Sequence, residues 1–482
     1  MNKTKIKVTS VLRLKKKDLG PQIISELKRQ LTRRNSEYYI LLAMAKNNPQ
    51  RFHYVPMPSE FIKSYAETNE YLYVPRGTMK IVKSLLTKFG IEYEFDFQWI
   101  FFDSLDVKLS DKVTLLSYQK EVITNMAISG QAILQSPCGS GKTVMGVALI
   151  GYIKQPTLIV VHTLDLLNQW IDEINDKLDY DSKVGRMGGG VRKPHDITVA
   201  TIQTLYKLDK NKRTRNNLYK FLSNFGCIIF DECHHIPANS FLTILNTSPS
   251  RFRYGLTATP KRKDQKEFLM YDTLGDTIFT VTDLQLKCEN RLQDAEIEFV
   301  HTDFFSRKSN SEWISLVNDL IQDEKRNMLI ADKVKETWID GHFNLVLSDR
   351  VQHVKHLANL FRRRGMTTEV LIGVVPKHIR KSIIERARSN QIDVIVATVV
   401  ADEGLDIPNL SCIHLTVPTD NESRLQQRIG RIRRPKDMKS LVIDYVDMKV
   451  YGFAKKAIKR QKYYQKWNLH IKEPIKRTRH FS

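Results

Sequence analysis

From about residue 106 the chain alternates short, nearly unbroken apolar runs with longer stretches of helical period. The first set of runs is AILQSP, TLIVVH, ITVATI, CIIFDE and YGLTAT. After a weaker interval between about 262 and 310 they resume as FNLVLS, TEVLIG, DVIVAT, CIHLTV and SLVIDYV. A strand apolar on both faces must be covered on both faces, and strands joined through helices run parallel. The pattern therefore predicts an α/β protein with two tandem doubly wound parallel-sheet domains, over 106–282 and 283–448, each of ordinary domain size. Residues 1–105 read differently. DLGPQIISELKRQLTRR has the period of an amphipathic helix, and YLYVPRGTMKIVKSLLTKFGIEYEFDF reads as strand, turn at Pro75-Arg76-Gly77, helix, strand. This predicts a small α+β accessory domain ahead of the two larger ones.

Composition adds a partner. The 482 residues are 41% hydrophobic, enough for two or three ordinary cores. The 76 Lys+Arg against 53 Asp+Glu leave a net charge of +23. That favours a polyanion, nucleic acid before a membrane surface, with a solvated basic surface as the alternative. From Lys449 to the end there are eleven Lys/Arg and one acid, Glu473. This tail, 449–482, interleaves its cations with Tyr463, Tyr464 and Trp467. Those rings either stack on bases or pack, as one helix face, on the preceding domain. Five cysteines, at 138, 227, 233, 288 and 412, form no C-x-x-C pair. The odd number speaks against a disulfide framework and for a reducing cytoplasm. The basic start lacks the apolar run of a signal peptide, and no stretch is long and apolar enough to span a bilayer.

In a doubly wound sheet, ligands bind at the carboxyl ends of the strands. After AILQ comes Ser136-Pro137-Cys138-Gly139-Ser140-Gly141-Lys142-Thr143, followed by the helical VMGVALIGYIK. This is the Walker A phosphate loop with Ser136 in place of its first glycine. Gly139 and Gly141 let backbone N–H groups turn toward phosphate oxygens at a helix N-terminus, whose dipole favours anions. Lys142 would reach the β- and γ-phosphates of ATP, and the Thr143 hydroxyl would ligate Mg²⁺.

CIIFDECHHIP gathers six side chains able to bind a metal. As a zinc site it fails on spacing. His234 and His235 are adjacent, whereas paired zinc ligands lie about 3–5 residues apart, and Cys227 at the start of an apolar strand reads as core. As the second carboxylate site of a phosphate-loop ATPase it fits. Asp231 would hold the Mg²⁺ and Glu232 would orient and activate the attacking water.

Asp231-Glu232-Cys233-His234 resembles motif II of the superfamily 2 helicases of the DExH type. Other elements of that family follow its order. LLSYQKEVI resembles the Q-type element, in which Gln119 would read adenine. VVHTLDLLNQW is similar to motif Ia, ITVATIQTL to motif Ib or Ic, LTATP to motif III and FNLVLSDRVQHV to motif IV. ATVVADEGLDIP resembles motif V and QQRIGRIRR motif VI, so the set spans roughly Leu115 to Arg434. Each pattern is weak alone; the ordered set, on predicted strand ends, is specific.

The resemblance implies two RecA-like domains with ATP in the cleft between them. Gln427, Arg431 and Arg434 come from the second domain, and the two arginines match the family's arginine fingers. Glu403, Gly404 and Asp406 match motif V residues that join the nucleotide and nucleic-acid sites, and His234, Thr257 and Thr259 match coupling positions. Thr163, Thr201, Thr204, Arg350 and Thr398 match positions that grip a phosphate backbone, though each is equally readable as a strand-end cap.

DEAD-box helicases carry Asp at the end of motif II and His at the start of motif VI, where this chain has His234 and Gln427. The Gly-rich GRMGGGVRKPHD before ITVATIQTL, with a short α+β domain ahead of the motor, resembles the phage UvsW-type branch-migration helicases and their XPB-like relatives. That resemblance implies an ATP- and Mg²⁺-dependent helicase or translocase acting on forked, branched or single-stranded DNA, with 1–105 as a DNA-binding element. It implies a monomer acting beside replication or recombination proteins, in the host cytoplasm if the chain is phage-encoded. An RNA helicase, the motor subunit of a restriction complex, and a nucleotide-dependent switch without unwinding remain the alternatives.

Overall fold

The most regular alternation in the chain lies at its start. Val8 is reached through KTKIKV, and VLRLK repeats the pattern two residues later. Both fold as strands, β1 (Thr4–Val8) and β2 (Val11–Lys15), with Ile6, Val8, Leu12 and Leu14 buried. They form a sheet with β3 (Ala66–Glu67), β4 (Tyr71–Pro75) and β5 (Tyr93–Phe97), in the order β3-β4-β2-β1-β5. Strand β5 runs parallel to β1, and the other pairs are antiparallel. Helices α1 (Lys16–Gln30) and α2 (Met79–Lys88) pack their apolar stripes on this sheet through Leu19, Ile23, Leu27, Val82 and Leu86. The computed structural model describes residues 3–47, 56–137, 139–209, 216–235, 238–259, 262, 264–308, 312–398 and 407–475. It divides into two units, Met1–Ser136 with Gly141–Val281, and Pro137–Ser140 with Thr282–Ser482.

Both predicted parallel sheets are present. The first holds β6 (Gln131–Gln135), β7 (Thr157–Val161), β8 (Gly185–Gly188), β9 (Val191–Lys193), β10 (Ile197–Thr201), β11 (Cys227–Phe230), β12 (Phe252–Thr257) and β13 (Thr277–Thr280). Their order is β9-β8-β10-β7-β11-β12-β6-β13, parallel throughout except for the β8–β9 hairpin. The second holds β14 (Ala295–His301), β15 (Asn344–Leu347), β16 (Thr368–Leu371), β17 (Val394–Ala397), β18 (Cys412–Leu415), β19 (Ser440–Val446) and β20 (His470–Ile471). It is wholly parallel, in the order β16-β17-β15-β18-β19-β14-β20. These are two RecA-like domains behind a small α+β domain. Strands β13 and β14 lie where the apolar pattern weakens. In β14 the burial alternates, with Ala295, Ile297 and Phe299 inside and Glu296 and Glu298 partly exposed, so no continuous run marks it.

The N-terminal sheet is joined to the first parallel sheet at the amino ends of the latter's strands. Arg76 is buried and donates to Gln131 Oε1 (2.5 Å), to Ser250 O (2.8 Å) and to Arg251 O. Arg253, also buried, donates to Ser10 O (3.0 Å) and to Ser248 O. Burial pulls the Arg76 pKa down to about 9, and burial, with the repulsion of Arg76 added, also holds Arg253 well below its ordinary value. Gly77 lies against helix α6 (Phe268–Leu274): a Cβ there would stand 2.4 Å from Tyr271 O and 2.5 Å from Gly275 N. Arg33 completes the joint with a 2.8 Å ion pair to the buried Asp272.

In the second unit, helices α7 (Glu324–Ile339), α8 (Val351–Arg363), α9 (Glu422–Ile432) and α10 (Tyr451–Lys466) flank the sheet. Two buried ion pairs anchor them, Arg326–Asp447 at 2.7 Å and Arg460–Asp444 at 2.6 Å, the latter also receiving the Tyr464 hydroxyl at 2.7 Å. Tyr464 is fully buried, and Tyr463 and Trp467 pack against the same core. The tail's rings thus pack on the second domain rather than standing free to stack on bases. Lys456 and Lys459 pair with Asp420, Lys466 with Glu422, and Lys472 with Glu296 and Glu298. No described helix is long and apolar enough to cross a membrane, and the four described cysteines are free thiols.

Candidate nucleotide and nucleic-acid site

Strand β6 is buried along Ala132–Leu134 and delivers the phosphate-loop sequence at its carboxyl end. Ser136 N donates to Thr257 O at 2.8 Å, so this residue still belongs to the β6–β12 ladder. A side chain fits there because the turn has not begun, which accounts for Ser136 in place of glycine. Ser140 Oγ then donates to Pro137 O at 2.7 Å. Gly139 (φ +86°) and Gly141 (φ +79°) occupy the left-handed region that glycine favours, and Cys138 lies outside the described residues. Helix α4 (Lys142–Ile153) follows, with Thr143 in its first turn. Gln119, near the start of helix α3 (Ser117–Ser129), accepts from Leu116 N through Oε1 at 3.0 Å. Its Nε2 faces the loop so closely that a Cβ on Gly141 would stand 2.7 Å away.

Two strands across, Asp231 N donates to Val160 O at 3.0 Å, holding Asp231 at the end of β11. Its carboxylate accepts from Trp170 Nε1 at 2.7 Å and from Glu232 N at 2.9 Å. Burial, and then the Glu232 charge, push the Asp231 pKa up, while Trp170 and Lys142 hold it down. Glu232 sits at φ +44°, a strained setting for a non-glycine residue that costs about 1–3 kcal/mol. Its Oε1 pairs with Lys142 Nζ at 2.9 Å, and its Oε2 lies 3.4 Å from His234 Nδ1. Thr257 Oγ1 donates its single hydrogen to Thr259 O at 2.7 Å, so it accepts from His234 Nδ1, also at 2.7 Å. Lys142, Glu232, His234, Thr257 and Thr259 are thereby linked in one chain of contacts. Cys227 and Cys233 are core residues, and burial pushes the Cys227 thiol up to about 12. The Thr143 hydroxyl and the Asp231 carboxylate are the hard oxygen donors that suit Mg²⁺, which takes few carboxylates and keeps several waters.

Two residues here carry weight that their local sequence does not announce. Trp170, on helix α5 (Leu164–Lys177), is fully buried and gives Asp231 its indole N–H. Gly146 makes room for that ring, since a Cβ on it would stand 2.4 Å from Trp170 Cη2. The available signals were a glycine inside an apolar helix and an N–H donor on a buried helix face. Replacing Trp170 by Phe keeps an aromatic ring, though a smaller one, and deletes a hydrogen bond to a charged group, worth about 1.5–3 kcal/mol. ATPase turnover at fixed Mg²⁺ should fall about tenfold or more; parental turnover would show the bond to be dispensable.

The expected nucleic-acid residues also lie at strand ends. Thr163 caps α5, accepting from Leu166 N at 3.3 Å, and the Thr201 and Thr204 hydroxyls bond each other at 2.8 Å. Gln203 Nε2 donates to His162 O at 3.0 Å and ties the ends of neighbouring strands β7 and β10 together. In the second unit, Arg350 precedes α8, and Thr398 follows β17 with its N–H on Leu371 O at 3.1 Å. In motif VI, Arg428 pairs with Asp349 (3.5 Å), and Arg433 with Asp283 (2.7 Å). Gln427 is buried, while Arg431 and Arg434 are partly exposed. Glu403, Gly404 and Asp406 lie outside the described residues.

Comparison with known proteins completes the picture. The family described as "Type III restriction enzyme, res subunit" matches residues 112–262, and "Helicase conserved C-terminal domain" matches 324–436. Together they span more than half of the chain. The protein named DNA 3'-5' translocase XPB2, of Sulfurisphaera tokodaii, is 28% identical over 396 residues, 74% of this chain and 88% of its own length. L396 of Acanthamoeba polyphaga mimivirus, provisionally named an ATP-dependent RNA helicase, is 26% identical over 502 aligned residues, 98% of this chain and 87% of its own. A fragment provisionally named an HsdR subunit of a type I restriction enzyme, from Vibrio vulnificus, shares the fold at TM-score 0.51 and 19% identity, over 68% of this chain and 63% of the fragment. The crystal structure of T4 UvsW aligns over 98% of both chains at 20% identity, with a TM-score of 0.42. With the two domain matches in tandem and in the order of the motifs, the chain belongs to the superfamily 2 helicases, an ATP-dependent enzyme with XPB-like relatives.

Proposed function

We propose that the protein is an ATP- and Mg²⁺-driven DNA translocase that remodels forks and junctions. The observation that carries this reading is the linked set Lys142–Glu232–His234–Thr257 at the carboxyl ends of β6, β11 and β12. Lys142 binds the β- and γ-phosphates, and Thr143 and Asp231 hold Mg²⁺, whose bound charge offsets that of the phosphate oxygens. Glu232 orients the attacking water and accepts its proton. Arg431 and Arg434, with Gln427 beside them, stabilise charge on the transferring phosphoryl group, and Gln119 meets the base. Thr257 and Thr259 pass the state of Glu232 onward through His234. Thr163, Thr201, Thr204, Arg350 and Thr398 hold a phosphate backbone without reading sequence, and Glu403, Gly404 and Asp406 connect the two sites. Residues 1–105 serve as a DNA-binding accessory domain, and the protein acts as a monomer.

DNA is favoured by the XPB-named relative. RNA is the second reading, because the relative that matches nearly the whole chain carries an RNA helicase name. ATPase stimulation by single-stranded DNA, a fork, a four-way junction and an RNA duplex separates them. The fork or junction is expected to stimulate most; stimulation by RNA alone would overturn the DNA reading.

A further inference from the structure

One face of the N-terminal sheet is covered by α1 and α2; the other carries a pattern that the motor does not use. Lys5 and Lys7 of β1, Arg13 and Lys15 of β2, and Tyr71 and Tyr73 of β4 point away from the buried set Ile6, Val8, Leu12, Leu14, Leu72 and Val74. Register brings them together. Lys7 lies directly across from Arg13, Arg13 across from Tyr73, and Lys15 across from Tyr71. The Arg13 guanidinium stacks 3.8 Å from the Tyr71 ring centroid, and its Nε is buried without a partner among the described residues. Acids enter this face from the edge strand β5, where register sets Glu94 across from Lys5 and Asp96 across from Lys7, with Asp96 also 3.9 Å from Lys5 Nζ. On the other side of β1, Arg13 and Lys15 of β2 face Lys7, Tyr73 and Tyr71, so the four cations Lys5, Lys7, Arg13 and Lys15 outnumber those two acids and the face keeps a positive balance.

We propose that this open sheet face binds single-stranded nucleic acid. Lysines two residues apart on a strand are about 7 Å apart, a spacing that lets one extended backbone meet Lys5 and Lys7 with successive phosphates. Two strands over, across Arg13 from Lys7, Tyr73 offers a ring on which an unpaired base stacks, a contact that a duplex does not provide. The identification of a strand-parting motor supplies the context, since such a motor releases single strands; the inference rests on that reading for its purpose, not for its chemistry. Because this sheet and the first parallel sheet belong to one unit, a strand held here is held by the body that carries Lys142 and Glu232.

The test titrates the full chain, without nucleotide, against labelled oligothymidylate and against a DNA duplex over a range of salt. Lys5→Ala/Lys7→Ala is expected to weaken single-strand binding about tenfold or more, and to lower the salt slope by about 0.7 for each lost phosphate contact. Tyr73→Ala should weaken it at least about fivefold with the slope unchanged, and Tyr73→Phe should restore it. Parental affinity in all variants, or a loss confined to the duplex, would overturn the proposal. The parent's DNA-stimulated ATPase is measured alongside. A parent that binds oligothymidylate at this face but whose ATPase ignores DNA would sink the translocase reading alone.

Discussion

Lys142→Ala should abolish DNA-stimulated ATP hydrolysis, with a fall of about two to three orders of magnitude, the usual cost of removing one preorganised donor from a charged transition state. The structure sharpens what the loss means. Lys142 Nζ pairs with Glu232 Oε1 at 2.9 Å, so the proposed phosphate-binding cation and the proposed base are direct neighbours and their substitutions must be told apart. Glu232→Gln separates the roles, because the amide cannot take a proton but still reaches Lys142. It should retain ATP binding and lose turnover about 10²- to 10⁴-fold. Turnover in Lys142→Ala within a factor of two of the parent would refute the phosphate-loop assignment. Glu232→Gln losing ATP binding and hydrolysis equally would instead refute Glu232 as the base.

Gly77→Ala should separate the N-terminal domain from the first motor sheet. The added methyl would meet Tyr271 O at 2.4 Å, Gly275 N at 2.5 Å and Asp272 O at 2.7 Å, all backbone atoms that no rotamer change can move. Overpacking costs about 1–3 kcal/mol, and rigid backbone on every side puts this site at the upper end. The joint it opens holds the buried guanidinium of Arg76, which donates to carbonyl and amide oxygens and lies 5.5 Å from the Trp99 ring centroid. Once apart, the domain exposes the segment after Phe97 to protease, while basal ATPase persists because Lys142, Asp231 and Glu232 lie at the opposite ends of the strands. Limited proteolysis of the variant is the measurement; a digestion pattern like the parent's would show that the two sheets adjust around the methyl group.

The central strands of both parallel sheets were legible because full burial demands unbroken apolar runs, whereas β8, β9, β13, β14 and β20 carry no such run. The phosphate loop was legible because its glycines, lysine and threonine act over eight consecutive residues. Strands β1 and β2 fall outside the predicted elements, because each is five residues long and carries only two or three apolar side chains, set between cations. The tail's rings were left between two roles because helical period shows that a face exists but not what covers it. Packing decided it, with Tyr464 in the core and Tyr463 and Trp467 against it.

The sequence by itself determined the class of chemistry. Lys142, Asp231 and Glu232 are set by neighbours within a few positions, and short-range spacing is visible in a linear string. Only the tertiary structure decided how those groups are held. Trp170 reaches Asp231 across 61 positions, Arg76 reaches Ser250 across 174, and Gly77 and Gly146 are required by atoms far along the chain. Such contacts depend on which surfaces the folded sheets bring face to face, and a side chain's own neighbours in sequence carry no record of that.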